Sequence, residues 1–317
     1  MRAIKNTFLT LIFLSAFPSL SRGSSLLVSY TSTSGTGGIE SYSLVPQSAG
    51  ALFDSETTGI TSLTTANNTA YWVANNQIWS DSLTDATGGA AKTSLPSIPF
   101  GGVTVSDLAV APTADSYLTG WIAPGYGWFV AEYPLTPGAF TVFANATAPI
   151  QGLTVAGNTA YWIEGNKIWS QNLDGTGKTL VQSFTLGEVS LLDLAIDLPS
   201  QTYLLSATTP GIPPLLARYP LTPNSSGVLF AFSTATNNIN AVTIAGNRAY
   251  WIDGPSIWSE NLNGTDLTLQ ETLPANLTPT DLAVSLDQPA TAPEPASLIT
   301  LAGGLMALGL IGRRRVG

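Results

Sequence analysis

Short runs of alternating apolar and polar residues, separated by Gly, Asn and Asp, cover most of this chain. Residues 152–156, 160–163, 167–173 and 178–184 are four such runs, and turn signals such as Gly157-Asn158 and Asp174-Gly175 separate them. A spacing of two is typical of β-strands, whereas an amphipathic helix needs apolar positions three or four residues apart. The pattern therefore predicts a four-stranded antiparallel meander.

This meander recurs along the chain in two alternating versions. Tyr-Trp pairs begin at residues 71, 161 and 250, and an Asp-Leu-Ala sequence begins at residues 107, 193 and 281. The period is about 90 residues, twice the roughly 40–45 residues of a propeller blade. Two kinds of unit, each present three times, predict an all-β, six-bladed β-propeller.

The two ends of the repeat complement each other. The first unit begins at residues 26–32 and lacks the Asp-Leu-Ala strand that precedes this position elsewhere, and that strand occurs instead at residues 281–284. We expect it to pair with the N-terminal strands in one shared blade. Such pairing closes the ring and leaves no open sheet edge.

The aromatic units also resemble a known family. Tyr161-Trp162-Ile163-Glu164, followed by Ile168-Trp169-Ser170, is similar to a blade of the YWTD propellers of lipoprotein-receptor type. The aspartate that ends the family tetrad is replaced by Glu164, retained as Asp253, and absent at Ala74. The resemblance implies the six-bladed fold and does not extend to receptor-type ligand binding.

The N-terminus has the features of a secretory signal peptide. Arg2 and Lys5 precede an apolar core at residues 8–17, and Ser21-Arg22-Gly23 places small residues at the two positions that a signal peptidase inspects. The alternative, an N-terminal membrane anchor, would need a longer apolar stretch. We expect residues 1–23 to be a signal peptide and residues 24–288 to be the propeller.

The C-terminal residues 289–317 contain a linker and a second apolar segment. Pro293, Glu294 and Pro295 precede an uncharged apolar run at residues 296–312, and Arg313, Arg314 and Arg315 follow it. The run is slightly shorter than the about 20 residues of a membrane-spanning helix, and the arginines favour a cytoplasmic C-terminus. The arrangement resembles the PEP-CTERM sorting signal of bacterial exported proteins. It implies a transmembrane helix, an inner-membrane intermediate, cleavage by an exosortase-type membrane transpeptidase, and a final location at the cell surface or outside the cell.

Composition narrows the chemistry of the predicted propeller. The chain has no cysteine and no histidine, so it lacks disulfides and the commonest general base. Without the two terminal segments, five basic residues face 19 acidic residues, a net charge near −14. We therefore expect no nucleic-acid partner, since binding to phosphates requires positive charge.

Two sets of residues are candidates for a binding site. Trp121, Tyr126 and Trp128 have no counterparts in the repeat and flank a Gly/Pro loop, so they are candidates for stacking on sugar rings; alternatively, both tryptophans cover a blade as strand residues. Asp107, Asp193 and Asp281 occupy equivalent positions, and innermost strands would place them in a ring around the channel. Their oxygens suit Ca²⁺, although local hydrogen bonds to the adjoining turns explain them equally. Beyond this calcium ion the sequence implies no cofactor.

Three functions are compatible with these features. The first is an exported, non-enzymatic surface or extracellular-matrix protein, with a rigid propeller as an interaction scaffold. The second is a carbohydrate-binding propeller that uses exposed aromatic loops to bind extracellular polysaccharide. The third is a metal-dependent hydrolase or lyase, which would need several carboxylates at the channel and a base to activate water. The first requires least of a chain with so few reactive groups.

Overall fold

The structure, a computed structural model, describes residues 24–83, 92–96, 102–111, 113–136, 138–184, 189–223, 225, 230–232 and 237–285. These residues form six four-stranded antiparallel sheets, which confirms the all-β six-bladed propeller. The predicted signal peptide and the sorting segment with its transmembrane helix lie outside the described residues. Within the described ranges, no helix has the length and apolar character needed to cross a membrane.

Each blade consists of four strands in the order inner to outer. Blade 1 is built from both ends of the chain and contains β24 (Leu277–Ser285), β1 (Ser25–Ser32), β2 (Gly37–Ser43) and β3 (Ala51–Glu56). Blade 2 contains β4 (Ile60–Ala66), β5 (Thr69–Ala74), β6 (Gln77–Ser82) and β7 (Thr93–Ser94). Blade 3 contains β8 (Thr104–Ala111), β9 (Ser116–Ala123), β10 (Gly127–Pro134) and β11 (Thr141–Ala146).

The second half of the ring continues in the same way. Blade 4 contains β12 (Ile150–Ala156), β13 (Thr159–Glu164), β14 (Lys167–Asn172) and β15 (Thr179–Ser183). Blade 5 contains β16 (Ser190–Asp197), β17 (Thr202–Thr209), β18 (Ile212–Pro220) and β19 (Phe230–Phe232). Blade 6 contains β20 (Val242–Ala245), β21 (Arg248–Asp253), β22 (Ser256–Asn261) and β23 (Thr268–Thr272).

The ring closes through blade 1, as the sequence predicted. The last described strand, β24, pairs antiparallel with β1 from Ser25 opposite Ser285 to Ser32 opposite Leu277. The six inner strands β24, β4, β8, β12, β16 and β20 contact one another in this order around the axis. Both ends of the described chain therefore lie side by side, at the end of blade 1 opposite the hairpin between β1 and β2.

Neighbouring blades meet at two alternating kinds of boundary, which explains the period of two blades. At the boundaries between blades 1 and 2, 3 and 4, and 5 and 6, the buried cluster is centred on Trp72, Trp162 and Trp251, respectively. At the boundaries between blades 2 and 3, 4 and 5, and 6 and 1, the cluster contains the preceding tyrosines. We call these the Trp boundaries and the Tyr boundaries. The predicted packing of the repeated tryptophans between blades is thus confirmed.

Candidate functional site

The central channel is lined by the innermost strands, and it contains the three predicted aspartates. Asp107 lies on β8, Asp193 on β16 and Asp281 on β24, all in odd-numbered blades. Each follows an extra residue that shifts the register between the inner strand and its neighbour, a β-bulge. The bulge turns the carboxylate toward the next blade. The aspartates remain partly exposed to the channel although they lie deep inside the molecule.

Each carboxylate connects its own strand to the inner strand of the following blade. One oxygen of Asp107 accepts a hydrogen bond from the amide of Leu108 at 2.8 Å, and the other accepts one from Leu153 of blade 4 at 2.6 Å. The other two aspartates repeat this pattern. Asp193 accepts from Leu194 at 2.7 Å and Val242 at 2.6 Å, and Asp281 from Leu282 and Leu63, both at 2.7 Å. The carboxylates therefore tie the inner strands together at all three Trp boundaries.

Small residues occupy the corresponding positions of the even-numbered blades. Ser62, Gly152 and Ala241 precede the three amides that the aspartates bind. The hydroxyl of Ser62 donates to Asp107 at 2.9 Å. Gly152 has a φ of +54°, and a β-carbon there would lie 2.9 Å from the Leu194 nitrogen. Close approach of the inner strands at this point requires glycine, because any side chain would meet backbone atoms.

Burial dominates the electrostatics of the ring. It raises the pKa of Asp107, and it raises the pKa of Asp193 further because the charges of Asp281 and Asp107 add to the effect. Burial, together with the charge of Asp107, raises the pKa of Asp281 to about 8. The backbone amides act in the opposite direction, since they stabilise the ionised form. Three like charges facing one channel make the ring a proton-binding group.

The geometry of the ring does not favour the predicted calcium site. Among the described residues, no group of three or more acidic side chains is placed so that it could hold a metal ion. Both oxygens of every ring aspartate already accept backbone amides, which explains the carboxylates without a cation. Calcium binding by these residues stays a prediction.

The predicted aromatic site divides into one buried and two accessible residues. Trp121 is completely buried: its ring contacts Phe129 at 5.1 Å between centroids, and its indole nitrogen donates to Thr119 at 2.6 Å. Trp121 therefore cannot stack on a sugar, and this part of the prediction is wrong because the strand turns it into the boundary between blades 2 and 3. Tyr126, at the tip of the hairpin between β9 and β10, is 85% exposed. Trp128 is half-buried.

A cleft of about 310 Å³ lies beside this hairpin and was not anticipated from the sequence. Its lining is almost entirely apolar, with the Tyr126 hydroxyl and Asn145 as its polar groups; the lining residues are Val103, Ala123, Pro124, Tyr126, Phe129, Phe140, Val142 and Asn145. The exposed side chain of Val142 on the outer strand β11 was the available signal, since it places an apolar residue on a solvent-facing edge.

The acidic residue after the Tyr-Trp pair has a structural role at the entry to its blade. Glu164 accepts hydrogen bonds from the amide and hydroxyl of Thr147 at 2.7 and 2.6 Å. Asp253 accepts from the amide of Asn237 at 2.8 Å. Both acids therefore hold the segment that connects the preceding blade. Ala74 has no carboxylate to do this in blade 2.

Comparisons with known proteins agree with this architecture. No family model and no curated protein matches the chain. A solved structure of a nidogen/laminin complex is similar with a TM-score of 0.65 and 17% identity, over 84% of this chain and 100% of that one. TolB from Acinetobacter baumannii is similar with a TM-score of 0.62 and 11% identity, over 83% of this chain and 67% of that one.

A third similar structure is the WD40 β-propeller domain of Doa1, with a TM-score of 0.52 and 14% identity, over 79% of this chain and 80% of that one. All three identities are low, so the likeness concerns the arrangement of strands. Together with the strand order around the axis, it identifies this chain as a six-bladed β-propeller.

Proposed function

We propose that this protein is an exported, non-enzymatic surface or extracellular-matrix protein whose propeller is a rigid interaction scaffold. The observation that carries the proposal is the closure of blade 1. Ser25 pairs with Ser285, so the segments before and after the propeller attach at one point of the ring. A leader and a sorting tail attached there leave the opposite face, with the hairpin that carries Tyr126, accessible to a partner.

Several observations support a scaffold over an enzyme. The three channel aspartates are engaged by backbone amides of two strands each. No histidine or cysteine exists in the chain to serve as a base or nucleophile. A similar propeller belongs to a nidogen/laminin complex, which gives a precedent for a protein-binding role of this fold.

The tail would determine where the scaffold goes. In this proposal Pro293, Glu294 and Pro295 are read by an exosortase-type membrane transpeptidase, while the apolar segment and Arg313, Arg314 and Arg315 hold an inner-membrane intermediate. Removal of the tail then delivers the propeller to the cell surface or the medium. Extracellular polysaccharide is the surrounding material in which it would act.

The test is the intact mass and cell fraction of the protein in its native host. We expect a species that lacks residues 1–23 and the segment after the Pro293-Glu294-Pro295 motif, found at the surface or in the medium. A Glu294→Ala variant should accumulate with its tail at the inner membrane, whereas Glu271→Ala, an acid on blade 6, should be processed normally. A wild-type protein that keeps its complete C-terminus in the membrane would refute the sorting proposal.

A second candidate function is binding of polysaccharide through the hairpin between β9 and β10. The exposed ring of Tyr126 beside the half-buried Trp128 favours it. Affinity for the polysaccharide of the native host should fall at least several-fold in Tyr126→Ala and Trp128→Ala. Ile212→Ala, at an exposed apolar position on blade 5, is the control. Equal affinity in all three variants would remove the hairpin as a binding site.

A further inference from the structure

Lys92 lies where the outer edges of blades 1 and 2 meet, and it faces several acceptors from β3. Its Nζ is 2.9 Å from Glu56 Oε1, 3.3 Å from the carbonyl of Ser55 and 3.4 Å from Asp54 Oδ1. The amine also lies 5.0 Å from the centre of the Trp79 ring. The lysine is thus held by one short contact to a glutamate and sits next to a second carboxyl.

The carboxyl of Asp54 is buried and incompletely satisfied. Its side chain is 3% exposed. One oxygen accepts the amide of Ser55 at 2.5 Å, but no hydrogen-bond donor among the described residues reaches Oδ2. Burial raises the pKa of Asp54, against the effects of the Ser55 amide and Lys92. A buried carboxyl in this state favours the neutral form, in which its carbon can accept a nucleophile.

Glu56 is placed to transfer protons between the two groups. Its Oε1 accepts from Lys92 and also from the indole nitrogen of Trp72 at 2.7 Å. The Glu56 side chain is 10% exposed, and the Trp72 and Trp79 rings border the site. Burial lowers the pKa of Lys92, but its acidic partners outweigh this effect and raise it. The amine must therefore lose a proton before it can react, and Glu56 is the nearest acceptor.

We propose that Lys92 and Asp54 condense to form an intramolecular isopeptide bond, with Glu56 as the proton-transfer residue. The neutral Nζ attacks Cγ of the protonated Asp54, which forms a carbon–nitrogen bond. Glu56 takes the proton that the nitrogen loses and returns it to the departing hydroxyl. One carbon–oxygen bond breaks and one water leaves. The ion pair thus becomes an amide plus water, without an oxidant, a nucleotide or a metal.

The bond would secure the weakest outer edge of the ring. Lys92 directly precedes β7, which has two residues and pairs with β6 only at Trp79 opposite Ser94 and Ser80 opposite Thr93. The outer strands of blades 4 and 6 have five residues each. A link from Lys92 to β3 restricts the unfolded chain in the way a disulfide does, in a protein that has no cysteine.

Blades 3 and 4 provide an internal comparison. Lys178 occupies the equivalent place, with its Nζ 2.8 Å from the carbonyl of Asn145 and 4.8 Å from the Trp169 ring. It lies 3.9 Å from Glu164. At the position of Asp54, however, the strand β11 has Ala144. Lys178 therefore has a carboxylate for an ion pair but lacks the second carboxyl, and no cross-link forms there.

The experiment is peptide mass spectrometry of the full chain after denaturation and digestion with trypsin. Between Arg22 and Lys167 the only cleavage site is Lys92. A cross-linked protein resists cleavage after Lys92 and yields the peptide 23–167 one water lighter than its sequence. Fragmentation should then place the lost water between Asp54 and Lys92.

Three variants sharpen the result. Lys92→Arg retains the positive charge but should restore the full mass, and Glu56→Gln should greatly reduce the cross-linked fraction. Lys178→Arg should leave the cross-link unchanged. Complete cleavage after Lys92 in the wild-type protein, with peptides 23–92 and 93–167 at their full masses and cleavage at Lys167 complete in the same digest, would overturn the proposal. Lys92 would then form an ion pair only.

Discussion

The boundary between blades 3 and 4 and the boundary between blades 4 and 5 use the same strand in different ways. On β13, Trp162 points to blade 3 and Tyr161 points to blade 5. On the Trp side, the carboxylate of Asp107 crosses to the amide of Leu153 near the axis. On the Tyr side, Tyr203 and Tyr219 stack at 5.3 Å between centroids.

The difference shows how a repeat of two blades makes a closed ring. A Trp boundary joins a large apolar ring to a charged bridge at the axis, whereas a Tyr boundary relies on packed rings and on a small residue at the axis. Each blade has one boundary of each kind, so neither kind of blade can stack on a copy of itself. The alternation therefore fixes the order of the units as well as their number.

The largest effect is expected when a Trp boundary loses its central ring. Trp162 is completely buried, so Trp162→Ala should lower the free energy of unfolding by about 3–5 kcal/mol. Urea unfolding should show a lower midpoint with an unchanged slope. Trp169→Ala, at a half-buried position in the same cluster, should cost less. A loss under about 1 kcal/mol for Trp162→Ala would mean that this ring does not hold the boundary.

The charged bridges make the Trp boundaries sensitive to pH. The pKa values of the three aspartates are raised in the folded state, so the native protein binds more protons than the unfolded chain. Their contribution to stability is complete below about pH 4, the range of an unfolded Asp, and is lost as the pH rises through about 8 for Asp281. We expect stability to fall by about 2 kcal/mol between about pH 5 and about pH 8.

Chemical unfolding across this range measures the effect. Asp193→Asn should flatten the dependence, because it removes one titrating group from the ring. Asp174→Asn is the control: hydrogen bonds from Thr176 lower the pKa of this exposed carboxyl, so its contribution changes only in more acidic solution. A wild-type protein that gains stability toward alkaline pH would contradict the raised pKa values.

The axis of a Tyr boundary can be tested at its small residue. Gly152→Ala should cost about 1–2 kcal/mol, because a β-carbon would meet the Leu194 nitrogen and φ is positive. Thermal unfolding of this variant can be compared with Gly175→Ala, which has a positive φ in open space. Equal losses in the two variants would show that conformation, and not crowding at the axis, sets the cost.

The smallest effect distinguishes two Trp boundaries from each other. The indole nitrogen of Trp72 donates to Glu56 at 2.7 Å, while that of Trp162 has no hydrogen-bond partner among the described residues. Trp72→Phe should therefore cost about 1 kcal/mol more than Trp162→Phe. Denaturation midpoints of the two variants give the difference. A larger loss for Trp162→Phe would contradict it.

The sequence predicts the ring well because the ring is built by repetition. The spacing of the Tyr-Trp and Asp-Leu-Ala sequences gave the blade number, and the displaced strand at residues 281–284 gave the closure with β1. These features are local patterns read several times. The boundaries of β13 and β14 lie within one residue of the predicted runs at residues 160–163 and 167–173.

The candidate site is less predictable, because it depends on which face a single side chain takes. Trp121 lies opposite Phe129 in the sheet and turns inward with it, whereas Tyr126 occupies the turn and points outward. No repeat partner exists to indicate either orientation. The pairing of Lys92 with Asp54 likewise joins residues far apart in sequence from two blades, and its only sequence signal is the scarcity of lysines.

The shared first blade also determines the order in which the protein can be completed. During synthesis β1, β2 and β3 emerge first, but the inner position of their blade stays vacant until β24 arrives at the end of the propeller. The pairing of Ser25 with Ser285 is therefore the last contact of the ring to form and one of the longest in range. A chain that crosses a membrane from its N-terminus becomes a closed disc only when its final strand has arrived.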